Sequence, residues 1–529
     1  MDISFFRSIT YRYFITSCPA VRSIHAQKRG ILASTGARLG RFVFQNLEHY
    51  KSKQFLKLNF VYTFFFFFTN FEKTKKNLLM KPTSILCLFL LLIISHTNYA
   101  QTTVDDPEIK KMVAEVKSEN MEATVRKLVS FGTRHTLSDT KSNTRGIGAA
   151  QRWVKSEFDK YALASGGRLT SVIDFFTIKA DGRRIATDSQ LGNVMATLKG
   201  TDPTDDRVLI ISGHLDSRAS DVMDAKSDAP GANDDASGVA AMMELARIMS
   251  QREFPFTLIF VAVVGEEQGL YGAKHLADVA KDGKWNVIAM LNNDMIGNSL
   301  SSGTLLRDNT KVRVFSETIP FLETEAESKM RKSTNRDNDS PSRQLARYIK
   351  TVTNQYVEQL DINLVYRNDR FLRGGDHTPF SQNGFTAIRF CEMNENYDHQ
   401  HQNVRKENNI QYGDLAEFMD FEYMKKVTCS NLATFSNLAW SPKAPTNVGI
   451  EVKDLTNFST LVWTAPEGKS VHGYNILIRE TSSQHWEKTI FVKDTKAEIP
   501  YSKDNFFFAV QTVDALGHSS LPVFPVPIR

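Results

Sequence analysis

The sequence has few cysteines: four in 529 residues, of which only Cys391 and Cys429 lie beyond the first hundred. Two cysteines in so long a stretch cannot form a disulfide-stapled scaffold, although an oxidising compartment would allow one bridge between them. Apolar residues make up 41% of the chain and charged residues 23%, which is an ordinary globular balance. The fold therefore depends on hydrophobic cores, and a chain of this length predicts two folded units.

Acidic residues are nearly absent from residues 1–79, which hold 13 Lys and Arg against three Asp and Glu. Three interpretations compete for this segment. It is a spurious N-terminal extension upstream of a true start at Met80, an organellar presequence, or a membrane anchor through residues 54–71. We favour the spurious extension, because a secretory signal follows it.

Residues 80–100 have the pattern of a signal peptide: Lys81 stands near the start, an apolar run extends from Ser84 to Ser95, and Ala100 precedes the expected cleavage point. We therefore expect a secreted protein, periplasmic or extracellular. The first hundred residues carry 14 basic and three acidic side chains, so the formal charge of +6 becomes −5 without them. The composition of the mature chain gives no support for nucleic-acid binding.

Residues 101–440 have the pattern of an α/β domain with a mostly parallel, mixed sheet flanked by helices on both faces. Four continuous apolar runs indicate strands covered on both sides, and two alternating runs indicate half-exposed strands. The predicted strands are 169–176, 193–198, 208–212, 257–264, 287–291 and 386–390. The predicted helices are 107–129, 145–161, 239–250, 272–280, 341–356 and 412–440. We interpret residues 300–340 as a long surface insertion that borders a cleft.

After a linker at 441–445, short alternating runs predict a small all-β sandwich over residues 446–529. This part resembles a fibronectin type III domain in Trp463, Tyr474 and the strand that begins at Phe506, where that family usually has a tyrosine. The resemblance implies a spacer or a substrate-anchoring module that contacts cell-surface or extracellular polymers and has no chemistry of its own.

Acidic and histidine side chains follow the predicted strands, at the edge of the sheet where α/β proteins bind their ligands. They are His214 and Asp216, Asp234, Glu266 and Glu267, Asp294, and the late pair His399 and His401. Zinc accepts imidazole nitrogen and carboxylate oxygen, and a catalytic zinc site keeps one position open for water. The set is large enough to hold two metal ions.

Local geometry suggests how some of these residues act. Side chains two apart in extended backbone share a face, so Asp216 can support the ring of His214. Helix capping by Asp235 or Ser237 accounts for part of this segment, which leaves the two oxygens of Asp234 free to bridge two ions. Of Glu266 and Glu267, one can bind metal while its neighbour faces the attacking water as a general base. Either late histidine can be the remaining ligand.

With these motifs collected, residues 113–440 resemble the dizinc exopeptidase family of bacterial leucyl aminopeptidase, aminopeptidase Y and glutamate carboxypeptidase. The motifs that carry the resemblance are GHLDS, PGANDDASG, GEEQGLYG, LNNDMIG and a late histidine, in that order. The resemblance implies two Zn²⁺ ions and a bridging hydroxide. It also implies that residues 373–377 border the pocket.

The resemblance assigns a role to each motif. Asp234 bridges the two ions. One ion is completed by His214 and Asp294, and the other by Glu267 and His399. The catalytic residues are Glu266, as general base and proton donor, and Asp216, which orients His214. His399 is preferred to His401 because Asn403 stands four residues after it, where the family tends to have an acid or amide.

The implied function is hydrolysis of peptides from one end, most simply as an aminopeptidase. Three alternatives remain open. They are carboxypeptidase action of the glutamate carboxypeptidase type, glutaminyl cyclisation, which uses one zinc in this fold, and a non-catalytic binding protein that keeps the peptidase shell. The full two-metal ligand set favours a hydrolase.

Overall fold

The computed structural model describes residues 104–468 and 471–529. The predicted extension and signal peptide, residues 1–79 and 80–100, lie outside the described residues. Residues 104–468 and 471–529 lie in one compact unit. Within its described part, no helix is both long enough and apolar enough to cross a membrane.

An eight-stranded mixed sheet occupies the centre of this unit. Its strands are β1 (Leu169–Ile178), β2 (Ser189–Leu198), β3 (Arg207–His214), β4 (Thr257–Val263), β5 (Asn286–Asn293), β6 (Lys311–Ser316), β7 (Asp361–Val365) and β8 (Ala387–Glu392). The order across the sheet is β1-β2-β4-β3-β5-β8-β6-β7. The central strands β4, β3, β5 and β8 are parallel, and β7 pairs in parallel with β6, whereas the pairs β1–β2, β2–β4 and β6–β8 are antiparallel. The predicted fold class is confirmed.

Helices cover both faces of the sheet. They are α1 (Pro107–Ala114), α2 (Ser118–Val129), α3 (Ile147–Ala164), α4 (Ala236–Met249), α5 (Glu266–Gly269), α6 (Tyr271–Asp282), α7 (Glu325–Ser333), α8 (Pro341–Tyr356), α9 (His377–Gln382) and α10 (Phe421–Trp440). Along β3, Leu209 and Ile211 pack into the core beneath α4 and α10, while Val208 and Ile210 pack against α6. A strand that is covered on both sides needs apolar residues at every position, which explains its continuous run.

Three sequence predictions differ from the structure. Residues 107–129 form two helices separated by a break, and the helix predicted over 412–440 begins at Phe421, where Asp420 accepts a hydrogen bond from the N–H of Tyr423 as its cap. The segment 300–340 is not wholly a surface insertion, because it contributes β6 to the sheet. That strand is short and charged at alternate positions, so its apolar signal is weak.

The C-terminal residues form two further sheets. They follow a short hairpin made of β9 (Arg405–Glu407) and β10 (Ile410–Tyr412). Their strands are β11 (Thr446–Glu451), β12 (Ser459–Thr464), β13 (Gly473–Glu480), β14 (Lys488–Val492), β15 (Lys496–Ile499), β16 (Phe506–Val513) and β17 (Val526–Ile528). One sheet has the order β15-β12-β11-β17 and the other β14-β13-β16. Trp463, Tyr474 and Phe508 belong to their shared apolar core. The fibronectin type III assignment stays a prediction.

These two sheets are attached to the α/β part by buried polar contacts. The carboxylate of Asp339 accepts hydrogen bonds from Arg347 of α8 at 2.7 Å and from Arg479 of β13 at 2.7 and 2.8 Å. All three side chains are almost fully buried. His518 adds a second connection, with Nε2 2.8 Å from the Asp106 carboxylate. The predicted boundary at 441–445 thus lies within one compact unit.

We predict that Asp339→Asn lowers the free energy of unfolding by about 3 kcal/mol, because two buried guanidinium groups then lose their shared carboxylate. Urea unfolding of the variant and the wild type measures the difference. Asp337→Asn is the matched control, since Asp337 pairs with Arg331 at the surface and is 59% exposed; such a pair contributes less than about 1 kcal/mol. Equal stability of the Asp339 variant and the wild type would contradict the prediction.

Candidate metal centre

The ends of three central strands place acidic and histidine side chains close together. His214 is the last residue of β3, and Asp294 directly follows β5. After β4, Gly265 turns the chain into α5 with φ of +89°, and a Cβ at this glycine would lie 2.9 Å from Leu191. This turn brings Glu266 and Glu267 to the same edge of the sheet.

The turn before α4 supplies Asp234. The next residue, Asp235, caps the helix by accepting a hydrogen bond from the N–H of Gly238 at 2.8 Å. It also accepts hydrogen bonds from the N–H groups of His214 and Met295, at 2.9 and 3.2 Å. One buried carboxylate therefore connects the ends of β3 and β5 to the start of α4, as the capping interpretation of Asp235 anticipated.

Within the described residues, two groups of three side chains have potential ligand atoms within 4.8 Å of one another: His214, Glu266 and Asp294, and Asp234, Glu267 and His401. Asp234, a member of the second group, also faces the first. Its Oδ1 is 3.0 Å from Nε2 of His214, and its Oδ2 is 3.0 Å from Nε2 of His401. A carboxylate whose two oxygens face two imidazoles in this way is suited to bridge two cations.

The donor set fits divalent metal ions. Nδ1 of His214 lies 3.0 Å from the carbonyl oxygen of Asp216, which holds the proton on Nδ1 and leaves Nε2 with a lone pair. That nitrogen faces the carboxylates of Asp234 and Asp294, and within the described part of the chain neither it nor Oε1 of Glu267 has a hydrogen-bond partner. Buried lone pairs that converge in this way favour a cation among them.

The structure brings His401, and not the preferred His399, into the cluster. Its ring stacks on Phe418 with a centroid distance of 3.7 Å, whereas Nε2 of His401 lies 3.0 Å from both Asp234 and Glu267. The backbone at His401 has φ of +54°, a left-handed turn that directs this side chain into the cluster. The spacing to Asn403 misled the prediction, because that residue exchanges hydrogen bonds with Ser220 instead.

Asp216 acts differently from its predicted role. Its backbone carbonyl contacts the ring of His214, while its carboxylate accepts hydrogen bonds from the N–H groups of Gly265, Glu266 and Glu267 at 2.9, 3.3 and 3.1 Å. The carboxylate thus holds the turn that carries both glutamates. Asp216 therefore contacts both the turn that carries the two glutamates and the ring of His214.

Buried charges surround the cluster. Burial raises the pKa of Glu266 well above its usual value; His214 opposes this shift, and Asp294 adds to it. Burial alone lowers the pKa of His401, but the carboxylates of Glu267 and Asp234 outweigh it and raise this pKa to about 10. The site thus holds several carboxylates in little solvent, which favours multivalent cations.

Several residues of the site were missed by the sequence analysis. Arg389 is fully buried, and its guanidinium lies 2.9 Å from Asp294 and 3.0 Å from Asp369. Asp414 accepts hydrogen bonds from the N–H groups of Asn233 and Asp234, the latter at 2.7 Å. Apart from the pair of Arg389 and Asp369, which are 20 positions apart, these contacts join residues 95 to 181 positions apart, and no local motif marks them.

Comparisons with known proteins identify the family. The model of Peptidase family M28 matches residues 193–423, which include both groups of side chains. A probable zinc metalloprotease of Leptosphaeria maculans is 44% identical over 423 residues, which cover 80% of this chain and 97% of the relative. The chain belongs to peptidase family M28. It is therefore a metallopeptidase, with its candidate ligands inside the matched region.

A further relative and two solved structures are also similar to this chain. A probable zinc metalloprotease of Pyrenophora tritici-repentis is 43% identical over 426 residues, covering 80% of this chain and 87% of the relative. The LapA aminopeptidase of Legionella pneumophila superimposes with a TM-score of 0.45 at 19% identity, over 64% of this chain and 75% of that one. Porphyromonas gingivalis glutaminyl cyclase gives 0.42 at 15% identity, over 61% and 98%.

The centre of this M28 peptidase opens into a cleft of about 430 Å³. Asp234, Glu266, Glu267, Asp294 and His401 form its acidic part. The remaining lining residues are Arg184, Arg218, Gly269, Leu270, Arg370, Leu372, Arg373 and Gly374. The predicted segment 373–377 thus borders the pocket through its first two residues.

We predict that His401→Ala weakens binding of divalent metal by about 10- to 100-fold or more, because it removes a nitrogen donor beside Asp234 and Glu267. His399→Ala is the matched control and should keep the wild-type metal content. Elemental analysis after dialysis against a graded chelator series measures both. Metal loss in the His399 variant alone would restore the original assignment.

Proposed function

We propose that this M28 peptidase is a zinc-dependent exopeptidase that acts as an aminopeptidase. The observation that supports it best is the position of Asp234, with one oxygen 3.0 Å from His214 and the other 3.0 Å from His401. Two three-residue groups that meet at one carboxylate form a site for a pair of metal ions. Zinc is the metal in the names of the most similar relatives.

The residues divide between two sites. His214 and Asp294 would hold one Zn²⁺, Glu267 and His401 the other, and Asp234 would bridge them. When bound, the ions polarise the scissile carbonyl and lower the pKa of the attacking water. Asp216 and Asp235 keep the ligands in place through the backbone hydrogen bonds of α5, β3 and α4.

Glu266 is the proposed general base. Its carboxylate lies in the group with His214 and Asp294 and also lines the cleft, where water and peptide enter. Its carboxylate can take a proton from the attacking water and then deliver it to the leaving amine. Asp216, through the N–H of Glu266, limits where this carboxylate points.

The size and charge of the cleft support action at a chain end. A volume of about 430 Å³ accommodates one or two residues, in contrast to the long groove that binding along an extended chain requires. The oxygen of Asp294 that does not face His214 and Arg389 offers a partner for a free α-ammonium group. These two features favour an aminopeptidase acting on short or unblocked peptides.

We predict that Glu266→Gln lowers kcat by about 10²- to 10⁴-fold and leaves the zinc content unchanged, because it removes a base and keeps a similar shape. Glu253→Gln is the matched control, at an exposed position outside the cleft. Hydrolysis of leucine peptides and zinc content are measured on the same samples. Zinc loss in the Glu266 variant would make Glu266 a ligand instead of a base.

The direction of cleavage is tested on the zinc-loaded full chain with three peptide sets: free amino termini, blocked amino termini, and C-terminal glutamate. The proposal expects cleavage of the free-amino set alone, and its loss with a chelator. Cleavage of N-blocked peptides that end in glutamate would replace the aminopeptidase by a carboxypeptidase. Activity that persists in chelator would contradict metal dependence.

We also propose that the enzyme acts after export, because residues 80–100 have the composition of a secretory signal. Processing at Ala100 would leave a chain that begins just before the first described helix. Expression of the sequence from Met1 and from Met80, followed by N-terminal sequencing of secreted protein, tests this. A mature protein that retains residues 80–100 would contradict it.

A further inference from the structure

The cleft that leads to the metal centre contains arginines without acidic partners. Arg184 donates to the backbone carbonyl of Glu267 at 2.7 Å, and Arg218 donates to the carbonyls of Ala219 and Ser220 at 3.2 and 3.0 Å. The guanidinium of Arg373 has no hydrogen bond or ion pair with any residue that the structure describes. Three positive charges therefore line the cleft without carboxylate compensation.

The fourth arginine of the cleft, in contrast to the other three, forms ion pairs with carboxylates. Arg370 lies 3.0 Å from Glu395 and 3.3 Å from Asp369, so its charge is balanced within the protein. Other buried arginines are paired in the same way, such as Arg389 with Asp294. A guanidinium that contacts only carbonyl oxygens keeps its full charge and retains N–H donors for a further acceptor.

The acidic side chains of the cleft do not cancel these arginines once metals are bound. Asp234, Glu266, Glu267 and Asp294 are the carboxylates that line it, and together they carry four negative charges. Two divalent ions would offset those four charges. The excess charge of the loaded cleft then comes from Arg184, Arg218 and Arg373, and it is positive.

We propose that the cleft recognises a substrate carboxylate close to the scissile bond, through Arg373 with Arg218 and Arg184. This inference rests on the proposed peptidase function and names the substrate class of the same site. Guanidinium groups bind carboxylates with two parallel hydrogen bonds, and a partly enclosed cleft strengthens the pairing. The carboxylate belongs either to an acidic side chain or to the C-terminus of a di- or tripeptide.

Apolar groups next to the arginines complete the cleft. Leu270 and Leu372 line it. Leu372 is 89% exposed, so its side chain is available for contact with a substrate. These side chains offer contact to the aliphatic part of a peptide whose carboxylate reaches the arginines. The preferred substrate is therefore a short or acidic peptide, and a neutral, amidated peptide of the same length should be inferior.

Paired substrates test the proposal on the zinc-loaded full chain. Leu-Gly against Leu-Gly-amide tests the terminal carboxylate, and Leu-Glu-amide against Leu-Gln-amide and Glu-Gly-amide against Gln-Gly-amide test acidic side chains. We expect about a tenfold higher kcat/KM, mainly through a lower KM, for the charged member of at least one pair. The pair that responds identifies the source of the carboxylate.

Variants connect the preference to the arginines. Arg373→Gln should reduce the preference about severalfold, through a lower kcat/KM for the charged member of the responsive pair, and its guanidinium makes no hydrogen bond or ion pair with the described residues. Arg218→Gln should act in the same direction. Arg183→Gln is the matched control, because Arg183 is an exposed neighbour that lies outside the cleft; it should behave as wild type.

The outcomes separate this inference from the proposed function. Equal kcat/KM within every pair, with neutral peptides cleaved, would overturn the carboxylate preference and leave the exopeptidase intact. A preference that survives in both the Arg373 and Arg218 variants would also overturn it. Failure to cleave any peptide, charged or neutral, with zinc bound would instead contradict the proposed function.

Discussion

The carboxylate of Asp234 is the point at which the two halves of the metal centre meet. Its oxygens face His214 and His401, whose positions depend on unrelated parts of the chain, the end of β3 and a loop almost two hundred residues later. The N–H of Asp234 is held by Asp414, and Gln400 donates to its Oδ2 at 3.0 Å. Most of the site is arranged around this one side chain.

The surrounding structure stabilises an arrangement that is unfavourable by itself. Converging carboxylates and an imidazole lone pair repel one another, and burial increases the cost. Asp235 and Asp216 offset part of it by accepting backbone hydrogen bonds from the segments that carry the ligands. Arg389, paired with Asp294 and Asp369, supplies a fixed positive charge. Metal binding would release the remaining repulsion, which couples metal content to stability.

Much of the centre could be predicted from the sequence because it follows strand-end geometry. The continuous apolar runs of β3, β4 and β5 indicated buried parallel strands. The side chains that follow such strands meet at one edge of the sheet. His214, Glu267 and Asp294 were found in this way, and Asp234 through the turn before α4. The strand β6 was missed because it has only six residues and because Lys311 and Arg313 interrupt its apolar residues.

What could not be predicted depends on backbone torsion or on distant contacts. His401 lies in the cluster, and His399 does not, because the backbone at His401 is left-handed. The spacing of residues along the sequence does not reveal such a torsion angle. Asp414 and Arg389 act through partners about 180 and 95 positions away. The backbone contacts of the Asp216 carboxylate were not predicted, because a carboxylate two residues after a histidine can contact either the imidazole ring or backbone N–H groups. The turn at Gly265 presents three such N–H groups to it.

The most direct test of the account is anomalous diffraction at the zinc edge from crystals of the metal-loaded full chain. The account predicts two zinc peaks about 3.5–4 Å apart, with one carboxylate oxygen of Asp234 directed at each. His214 and Asp294 should contact one peak, and Glu267 and His401 the other. A single peak, or two peaks that Asp234 does not join, would contradict it.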